Sequence, residues 1–165
     1  METGRLVVKR VESAAELEAA LDLRTRVFVR EQGVPIEEEA DEHDASATHV
    51  IALTGGRVVG TGRAVFPTQL PPRPTDGEAR DTGVQTTPGQ VRIGRMAVEQ
   101  AWRRCGVGSR VLEALEAEAR RVGMEEAVLA AQTNATGFYA SHGYREEGAV
   151  FPDAGIDHIL MRKRL

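Results

Sequence analysis

The order of apolar and polar positions along the chain predicts alternating strands and helices around one central unit. Residues 91–98 form a short apolar, partly β-branched segment with the character of a buried strand. Residues 107–122 then place apolar side chains at helical spacing, and Gly106 and Gly108 lie where the period changes. The positions on that helical face are Val107, Val111, Leu112, Leu115, Ala119 and Val122. The pattern therefore predicts a strand, a glycine loop and a helix in succession.

A strand and a capped helix are predicted before this unit. Residues 6–11 have a strand pattern, and the segment from Ser13 to Glu16 has the form of a capping box, so a helix is expected to begin at Ser13. Gly33 and Pro35 are placed to end that helix or a short extension of it. Its expected apolar face consists of Leu17, Ala20, Leu21, Val27 and Phe28.

A β-hairpin is predicted in the middle of the chain. Residues 48–54 and 57–66 flank Gly55 and Gly56, and a two-residue glycine turn favours a tight antiparallel hairpin. Residues 67–89 contain five prolines, which are incompatible with a regular ladder or a helix. This loop is long for a compact domain, so it is either a flap beside the substrate site or an insertion without a catalytic role.

The C-terminal part of the chain is predicted to complete a mixed sheet. Residues 125–131 have a strand pattern, and a short helix is expected to follow through Ser141 and to end at Gly143. Residues 144–150 and 156–164 are expected to form a closing pair of strands.

Length, charge and cysteine content limit the classes of function. A chain of 165 residues fits one domain, so a single domain over residues 1–165 is expected. The formal net charge of -4 argues against general affinity for nucleic acid. Cys105 is the single cysteine, which excludes an internal disulfide. Neither a signal-peptide pattern nor a bilayer-length apolar run is present, so a soluble, cytoplasmic protein without a membrane partner is expected.

The loop before the central helix has the chemistry of an anion site. The first N–H groups of a helix lack internal partners and carry partial positive charge, so a phosphate is favoured there. Gly106 and Gly108 let a phosphate approach the backbone, and Arg103 and Arg104 supply forked cationic donors. The alternative is a plain strand-to-helix turn whose two arginines are solvated.

Two common nucleotide-binding motifs do not match this loop. A Walker A loop needs Lys and then Ser or Thr after its last glycine, but Ser109 and Arg110 follow Gly108. A dinucleotide fingerprint needs a third glycine three positions after the second, where this chain has Val111. A nucleoside triphosphate and a dinucleotide are therefore both disfavoured.

The remaining pattern, Arg-x-x-Gly-x-Gly at a helix start, resembles the pyrophosphate-binding loop of the GNAT acyltransferases, which hold coenzyme A. Residues 26–35 (RVFVREQGVP) and 155–161 (GIDHILM) resemble the ElaA/YjcF-like branch of that superfamily. The resemblance covers nearly the whole chain. It departs at Arg103, where many relatives have Gln, and at Asp153, where Glu is expected.

The resemblance implies an α/β (α+β) GNAT acyl-CoA N-acyltransferase fold, with a mixed central sheet of about six to seven strands and about four flanking helices. It implies acetyl-CoA as co-substrate and transfer of its acetyl group to a primary amine by direct attack in a ternary complex. Tyr139 is expected to act as the general acid that protonates the departing thiolate. The residues expected to bind acetyl-CoA are Met96, Ala97, Val98, Arg103, Arg104, Gly106, Val107, Gly108, Ser109, Asn134 and Phe138.

The acceptor and the general base are left open by the sequence. The acceptor is expected to be a small-molecule or peptide amine, and the protein a monomer or a homodimer. The acidic run at residues 37–44 would attract a cationic amine, although a solvated loop is the favoured interpretation. His158 is expected more often as a packed core residue than as a base. Candidate bases are Glu31, Asp41, Asp44, Glu99 and His158.

Two other functions belong to different classes. Cys105 beside a helix N-terminus and two arginines would be a redox sensor or a thiol nucleophile if its pKa were depressed. A non-catalytic acyl-CoA-binding regulatory module would keep the loop without needing Tyr139 beside the thiol. The four histidines lack cysteine partners and paired helical spacing, so no metal is expected.

Overall fold

The computed structural model describes residues 4–67 and 87–165, and these residues form a seven-stranded sheet with four α-helices. The strands are β1 (Val7–Arg10), β2 (Thr48–Thr54), β3 (Arg57–Val65), β4 (Gln90–Val98), β5 (Glu126–Gln132), β6 (Arg145–Asp153) and β7 (Ile156–Arg164). The helices are α1 (Ala14–Arg24), α2 (Ile36–Glu39), α3 (Val107–Arg121) and α4 (Thr136–Ser141). Most of the proline-rich segment at residues 67–89 lies outside the described residues, so neither interpretation of that loop is tested.

The sheet is mixed, as the sequence predicts. Its strand order is β1-β2-β3-β4-β5-β7-β6, with a parallel pair at β4 and β5 and antiparallel pairs elsewhere. Gly55 and Gly56 adopt φ of 54° and 77° in the predicted hairpin turn. The last turn is shorter than expected, because Pro152 and Asp153 extend β6 and only Ala154 and Gly155 remain between the strands.

Strands β4 and β5 are paired only at their beginnings. The parallel pairing starts with Gln90 opposite Glu126 and stops at Arg92 opposite Val128. Strand β4 nevertheless stays paired with β3 up to Val98. The two central strands therefore diverge, and a V-shaped opening separates their carboxyl ends.

A β-bulge interrupts β4 beside this opening. Ala97 pairs with Thr61 and Gly94 with Arg63, so β4 has one more residue than β3 over this interval. Within it, Arg95 has φ of 51°, which is uncommon for a residue other than glycine. A bulge bends its strand and redirects the local side chains, so β4 curves where it borders the opening.

Helix α3 packs closely on one face of the sheet because β3 has glycine at two contact positions. A Cβ atom at Gly60 would lie 2.5 Å from Cγ1 of Val107. At Gly62 it would lie 2.6 Å from Sδ of Met96 and 2.8 Å from Cδ1 of Leu115. Because these two side chains are absent, α3 can lie close to the sheet. This close packing also fixes the position of the α3 N-terminus.

The predicted capping box at α1 forms with one change of partner. The Ser13 hydroxyl accepts a hydrogen bond from the Glu16 amide at 3.2 Å, as expected. The Glu16 carboxylate accepts from the amide of Glu12 at 2.9 Å, rather than from that of Ser13. The first exchange satisfies a backbone donor in the first turn of α1, and the second satisfies one just before the helix.

The buried face of α1 differs from the expected one. Ala20 and Val27 are buried as predicted, but Leu23 and Arg24 are buried as well. The helix continues as a π-helix over Thr25–Glu31, which has more residues per turn than an α-helix. The buried positions Ala20, Leu23, Arg24 and Val27 are still spaced at i, i+3, i+4 and i+7, so the helical period holds and only the expected choice of face was wrong.

A network of arginines and carboxylates lies beneath the acidic loop. Arg24 is 1% exposed and donates to Glu39 Oε1 at 2.6 Å and to Asp44 Oδ1 at 2.6 Å. Arg63 is 2% exposed and donates to Asp41 Oδ1 at 2.6 Å and to Asp44 Oδ1 at 2.8 Å. The solvated-loop interpretation is therefore wrong for these three carboxylates, because each has a buried arginine partner.

Arg95 completes this network from the bulge in β4. It donates to Asp41 Oδ2 at 3.2 Å and to the backbone oxygen of Glu39 at 3.0 Å. Three guanidinium groups therefore meet three carboxylates, and the cluster as a whole is electrically balanced. The acidic loop is thereby held against β3 and β4 as a fixed wall of the opening.

Two carboxyl groups of the network, Asp41 and Asp44, have lowered pKa values. Burial by itself would raise the pKa of Asp44, but the hydrogen bond and charge of Arg24 and the charge of Arg63 outweigh it and lower that pKa. The pKa of Asp41 is likewise lowered against burial, mainly by Arg63 and Arg95. The folded state therefore binds protons less readily than the unfolded chain at these two residues.

Gly62→Ala is expected to destabilise the fold, because the new methyl group would overlap Met96 and Leu115. Overpacking of this kind costs about 1–3 kcal/mol in the free energy of unfolding. Gly94→Ala is the matched control, since no described atom lies within 4 Å of a Cβ there. Urea unfolding of both variants tests the prediction, and equal midpoints would contradict it.

Asp44→Asn is expected to cost roughly 3 kcal/mol at neutral pH, because it leaves buried cationic charge without its partner. Stabilisation from Asp41 and Asp44 is complete above their unfolded pKa of ~3.9 and is lost as pH falls through the lower folded values. The variant should therefore also show a shallower loss of stability in acid. Asp22→Asn, at an exposed position of α1, is the control. Unfolding midpoints from pH 7 down to pH 3 that match the parent protein would refute this role.

Candidate active site

A cleft of about 760 Å³ occupies the opening between β4 and β5. One wall consists of β4 and the start of α3, and the other of β5, α4 and the turn between β6 and β7. Val27 and Phe28 of the π-helix also line it. The cleft therefore passes from the α3 face of the sheet to the face covered by α1 and the acidic loop.

The N-terminus of α3 opens into this cleft. Gly106 caps the helix in the left-handed conformation with φ of 80°, and its cap includes no side-chain hydrogen bond. Val107, Gly108 and Ser109 all line the cleft. Amide groups of a first helical turn without a side-chain cap favour an anion, so this end of the cleft has the electrostatics of a phosphate site.

The two arginines of the loop have different surroundings. Arg103 donates to Glu31 Oε2 at 2.6 Å and to the Val98 backbone oxygen at 3.0 Å, which ties the loop to the π-helix and to β4. Arg104 has φ of 62°, is exposed, and forms no ion pair with any described residue. Arg103 is therefore exposed but ion-paired, while Arg104 presents to the cleft a cation without an ion-pair partner among the described residues.

Gly108 gives the loop a contact with α4. A Cβ atom at this position would lie 3.4 Å from Phe138 and 3.7 Å from Cγ2 of Val98. Ser109 is joined to the same helix end, since its hydroxyl lies 2.9 Å from His142 Nε2. The start of α3 and helix α4 are thus fixed to one another across the end of the cleft.

The edge of β4 supplies a row of backbone groups. Met96, Ala97 and Val98 line the cleft beyond the last pairing of β4 with β5. Peptide groups on this edge have no strand partner in the described residues, and apart from the Val98 oxygen, which accepts from Arg103, they can form hydrogen bonds with an extended ligand.

Tyr139 lies in the same cleft and is only 8% exposed. Its ring packs edge-on against Phe138 and Tyr144, with centroids 5.0 and 5.8 Å apart. Burial raises the pKa of the Tyr139 phenol to about 12. The phenol is therefore more weakly acidic than the ordinary value near 10 that its sequence suggests.

Four of the five candidate bases have arginine partners and lie outside the cleft lining. Glu99 Oε1 accepts from Arg26 at 2.9 Å and also from Arg57. Glu31 binds Arg103, and Asp41 and Asp44 belong to the buried network described above. The structure therefore leaves His158 as the one candidate from the sequence that lines the cleft.

His158 lies on the cleft side of β7 rather than in the core. It shares this face with Ile156 and Leu160, as its position in the strand predicts, but the buried face of β7 consists of Ile159 and Met161. The expectation of a core histidine is therefore wrong. Strand alternation identified the face correctly but could not tell which face of β7 was buried.

The structure places every residue expected to bind acetyl-CoA, and Tyr139, along this cleft. It also adds Arg63, Arg95 and the pair formed by Gln32 and Gln132, whose amides hydrogen bond at 2.8 Å. These residues are far apart in sequence, and Gln32 lies in one of the segments that carry the resemblance to the ElaA/YjcF-like branch. Strand register brings the two arginines and Gln132 to the cleft, and the end of the π-helix brings Gln32, so the sequence pattern alone did not identify them.

The remaining sequence predictions concern Cys105, metal binding and membrane-spanning segments. Cys105 is exposed beside the loop, and its thiol lies 3.5 Å from the Arg103 backbone oxygen. Within residues 4–67 and 87–165, no group of three or more side chains is arranged to bind a metal ion. Over the same ranges, no helix has the length and apolar character needed to cross a bilayer.

Family models of the acetyltransferase (GNAT) domain match two overlapping parts of the chain. One covers residues 76–165 and another covers residues 23–113, and each exceeds half of the chain. Together they include the loop before α3, β4, β5 and the π-helix.

Individual relatives and solved structures also point to the GNAT acetyltransferases. The Bacillus subtilis protein named uncharacterized N-acetyltransferase YjcF is 36% identical over 149 residues, which cover 90% of this chain and 92% of that protein. An acyl-CoA N-acyltransferase from Pseudomonas aeruginosa superposes with a TM-score of 0.77 at 28% identity, covering 96% and 99% of the two chains. Escherichia coli ElaA gives a TM-score of 0.73 at 25% identity, with the same coverage. This chain belongs to the GNAT acetyltransferase family, in its ElaA/YjcF-like branch.

Proposed function

We propose that this protein, acting as a single cytoplasmic domain, transfers the acetyl group of acetyl-CoA to a primary amine by direct attack in a ternary complex. The observation that carries the proposal is the continuity of one cleft from the α3 N-terminus to Tyr139. An anion site, a free strand edge and a buried phenol then lie in the order that a phosphate-bearing thioester needs.

The pyrophosphate of acetyl-CoA is assigned to the first turn of α3. Its amides have no side-chain cap, and Gly106 and Gly108 keep side chains away from the backbone. Arg104 is available to bind phosphate oxygens because it has no ion-pair partner among the described residues. Arg103 uses Nε and Nη2 for Val98 and Glu31, so Nη1 is the nitrogen that remains to bind phosphate while the loop stays tied to the π-helix.

The pantetheine arm is assigned to the free edge of β4. Its two amides are suited to pair with backbone groups at Met96 and Val98, as an added strand would. Backbone N–H groups in the same segment are the source proposed for oxyanion stabilisation. Asn134 and Phe138 complete the opposite wall at the end near α4.

Acetyl transfer does not require covalent catalysis by the protein, because a thioester is already activated. The amine nitrogen forms a bond to the acetyl carbon, the carbon–sulfur bond breaks, and Tyr139 donates its proton to the departing thiolate. With a pKa of about 12 against ~8.5 for an ordinary thiol, complete transfer would be uphill by roughly 5 kcal/mol. Burial also raises the pKa of the thiolate formed beside the phenol, which reduces this gap.

The alternative function, a non-catalytic acyl-CoA-binding module, fits the loop equally well. It gives no reason for a tyrosine in the cleft lining whose hydroxyl has no hydrogen-bond partner among the described residues. A module that only senses acyl-CoA would bind the ligand and transfer nothing to any amine. Steady-state assays with acetyl-CoA and a panel of amines separate the two functions.

Gly108→Val is expected to weaken coenzyme A binding by at least tenfold. Its branched side chain would press on Phe138 and occupy the approach to the α3 amides. Gly108→Ala is the matched variant, because its methyl group only reaches ordinary contact distance and should cause a smaller loss. Calorimetric titration with coenzyme A, after unfolding curves confirm that both variants fold, measures the effect. Undiminished affinity in Gly108→Val would remove the assigned phosphate site.

Tyr139→Phe is expected to lower kcat on the order of 10²-fold while leaving coenzyme A affinity nearly unchanged, because it keeps the ring and removes the proton donor. Tyr144→Phe is the matched control. Its hydroxyl donates to Glu116 at 2.8 Å on the α3 side, so this change should affect stability more than kcat. Rates must be measured where chemistry limits turnover. Near-normal kcat in Tyr139→Phe would leave the tyrosine as a packing residue.

A further inference from the structure

The half of the cleft that faces α1 and the acidic loop is the place where an amine acceptor would meet the acetyl group. Its floor is the sheet face that carries Ala130 and Gln132 of β5 and His158 of β7, since Gln132 pairs with His158. Any inference about the acceptor at this place rests on the proposed acetyl transfer.

Carboxylates at this end of the cleft differ in their partners. Glu39 is buried and already bound to Arg24 at 2.6 Å. Glu38 is exposed at the margin of the cleft. Asp153, at the end of β6, is half-buried, lines the cleft and forms no ion pair with a described residue. Asp153 is therefore the partly desolvated negative group best placed to attract an ammonium.

His158 has one ring nitrogen fixed and the other available. Its Nδ1 lies 2.7 Å from the Ile156 backbone oxygen, which can only accept a hydrogen bond, so Nδ1 carries the proton. In the neutral ring the lone pair is then on Nε2. The ring also stacks on Phe151, with centroids 6.1 Å apart and an interplanar angle of 24°. These contacts hold the imidazole in one orientation.

Strand register places Asp153 and His158 on the same face. Phe151 is opposite His158, and Asp153 is opposite Ile156. The carboxylate and the imidazole are thus diagonal neighbours across β6 and β7, for which Cβ atoms are ~7 Å apart. An ammonium fits between side chains at this spacing and can contact both.

We propose that Asp153 binds the acceptor ammonium and that His158 Nε2 is the general base that removes its proton. The neutral nitrogen then attacks the acetyl carbon. As the tetrahedral intermediate collapses, the thiolate leaves and takes the proton of the Tyr139 phenol. The nitrogen then loses a second proton, which restores the phenol. His158 passes the first proton to water, so each turnover releases one proton and regenerates both groups.

The other charged groups around Asp153 and His158 have partners of their own, lie at the exposed margin of the cleft or lie outside its lining. Arg63 and Arg95, from β3 and β4, are bound to the acidic loop, whose Glu38 and Glu39 also face the cleft. Arg92 of β4 lines the cleft too and has a partner. Within β6 and β7, Asp153 faces the cleft, and the neighbouring Asp157 is exposed and outside its lining.

His158→Gln tests the base with two acceptors. With an alkylamine that is protonated at neutral pH, kcat/KM should fall on the order of 10²-fold or more. With an amine bearing fluorine atoms on the neighbouring carbon, which is mostly unprotonated at neutral pH, the loss should shrink to a few-fold. An equal loss with both amines would mean that His158 has a structural role, and no loss with either would remove it from the mechanism.

Asp153→Asn should raise KM for the protonated alkylamine at least tenfold, with a smaller change in kcat and with KM for the fluorinated amine unaltered. Asp157→Asn makes the same chemical change one position from His158, outside the cleft lining, and should leave both constants near those of the parent protein. Equal effects of the two substitutions would overturn the role of Asp153.

Failure of the proposed function is distinguishable from failure of this inference. If the parent protein binds coenzyme A but transfers acetyl to no amine, the transferase proposal fails. The assignment of His158 as general base then fails as well. If the parent protein is active and His158→Gln keeps its rate with the protonated amine, acetyl transfer stands and only the inference fails.

Discussion

The divergence of β4 from β5 is the constraint on which the whole site depends. A parallel pair normally continues as a ladder, but this one ends at Arg92 and Val128, and the bulge at Arg95 turns β4 away. Backbone groups that would have bonded to a neighbouring strand are left facing a cleft. The same divergence joins the two faces of the sheet, so a ligand held at α3 on one face can react with a molecule approaching from the other.

Two separate supports keep this opening from closing. On one face, Gly60 and Gly62 let α3 pack deeply, which fixes its N-terminus at the end of the cleft. On the other face, the balanced network of arginines and carboxylates holds the acidic loop against β3 and β4. Arg95 belongs to both the bulge and this network, so the curvature of β4 and the position of the loop are coupled.

The central unit and the hairpin were predictable from sequence because their signals are local. Helical spacing after Gly106 and the glycine pair between β2 and β3 each act over a few residues. The role of the acidic run was not predictable in this way. Asp44 meets Arg24 and Arg63 from 20 and 19 positions away, and charge alone does not distinguish a solvated carboxylate from a buried, paired one. The contact of Arg103 with Glu31 spans 72 positions and was hidden for the same reason.

The two groups to which we assign proton transfer lie in contrasting surroundings, and the contrast suits their tasks. Tyr139 is buried among aromatic rings, which keeps its phenol protonated until a thiolate forms beside it. His158 is only half-buried on the acceptor face, where a proton taken from an amine has a route to water. Tyr139 belongs to the core cluster that also contains Ile159 and Met161, whereas His158 lies on the opposite face of β7. The thiolate and the amine are therefore assigned to parts of the cleft on different faces of the sheet.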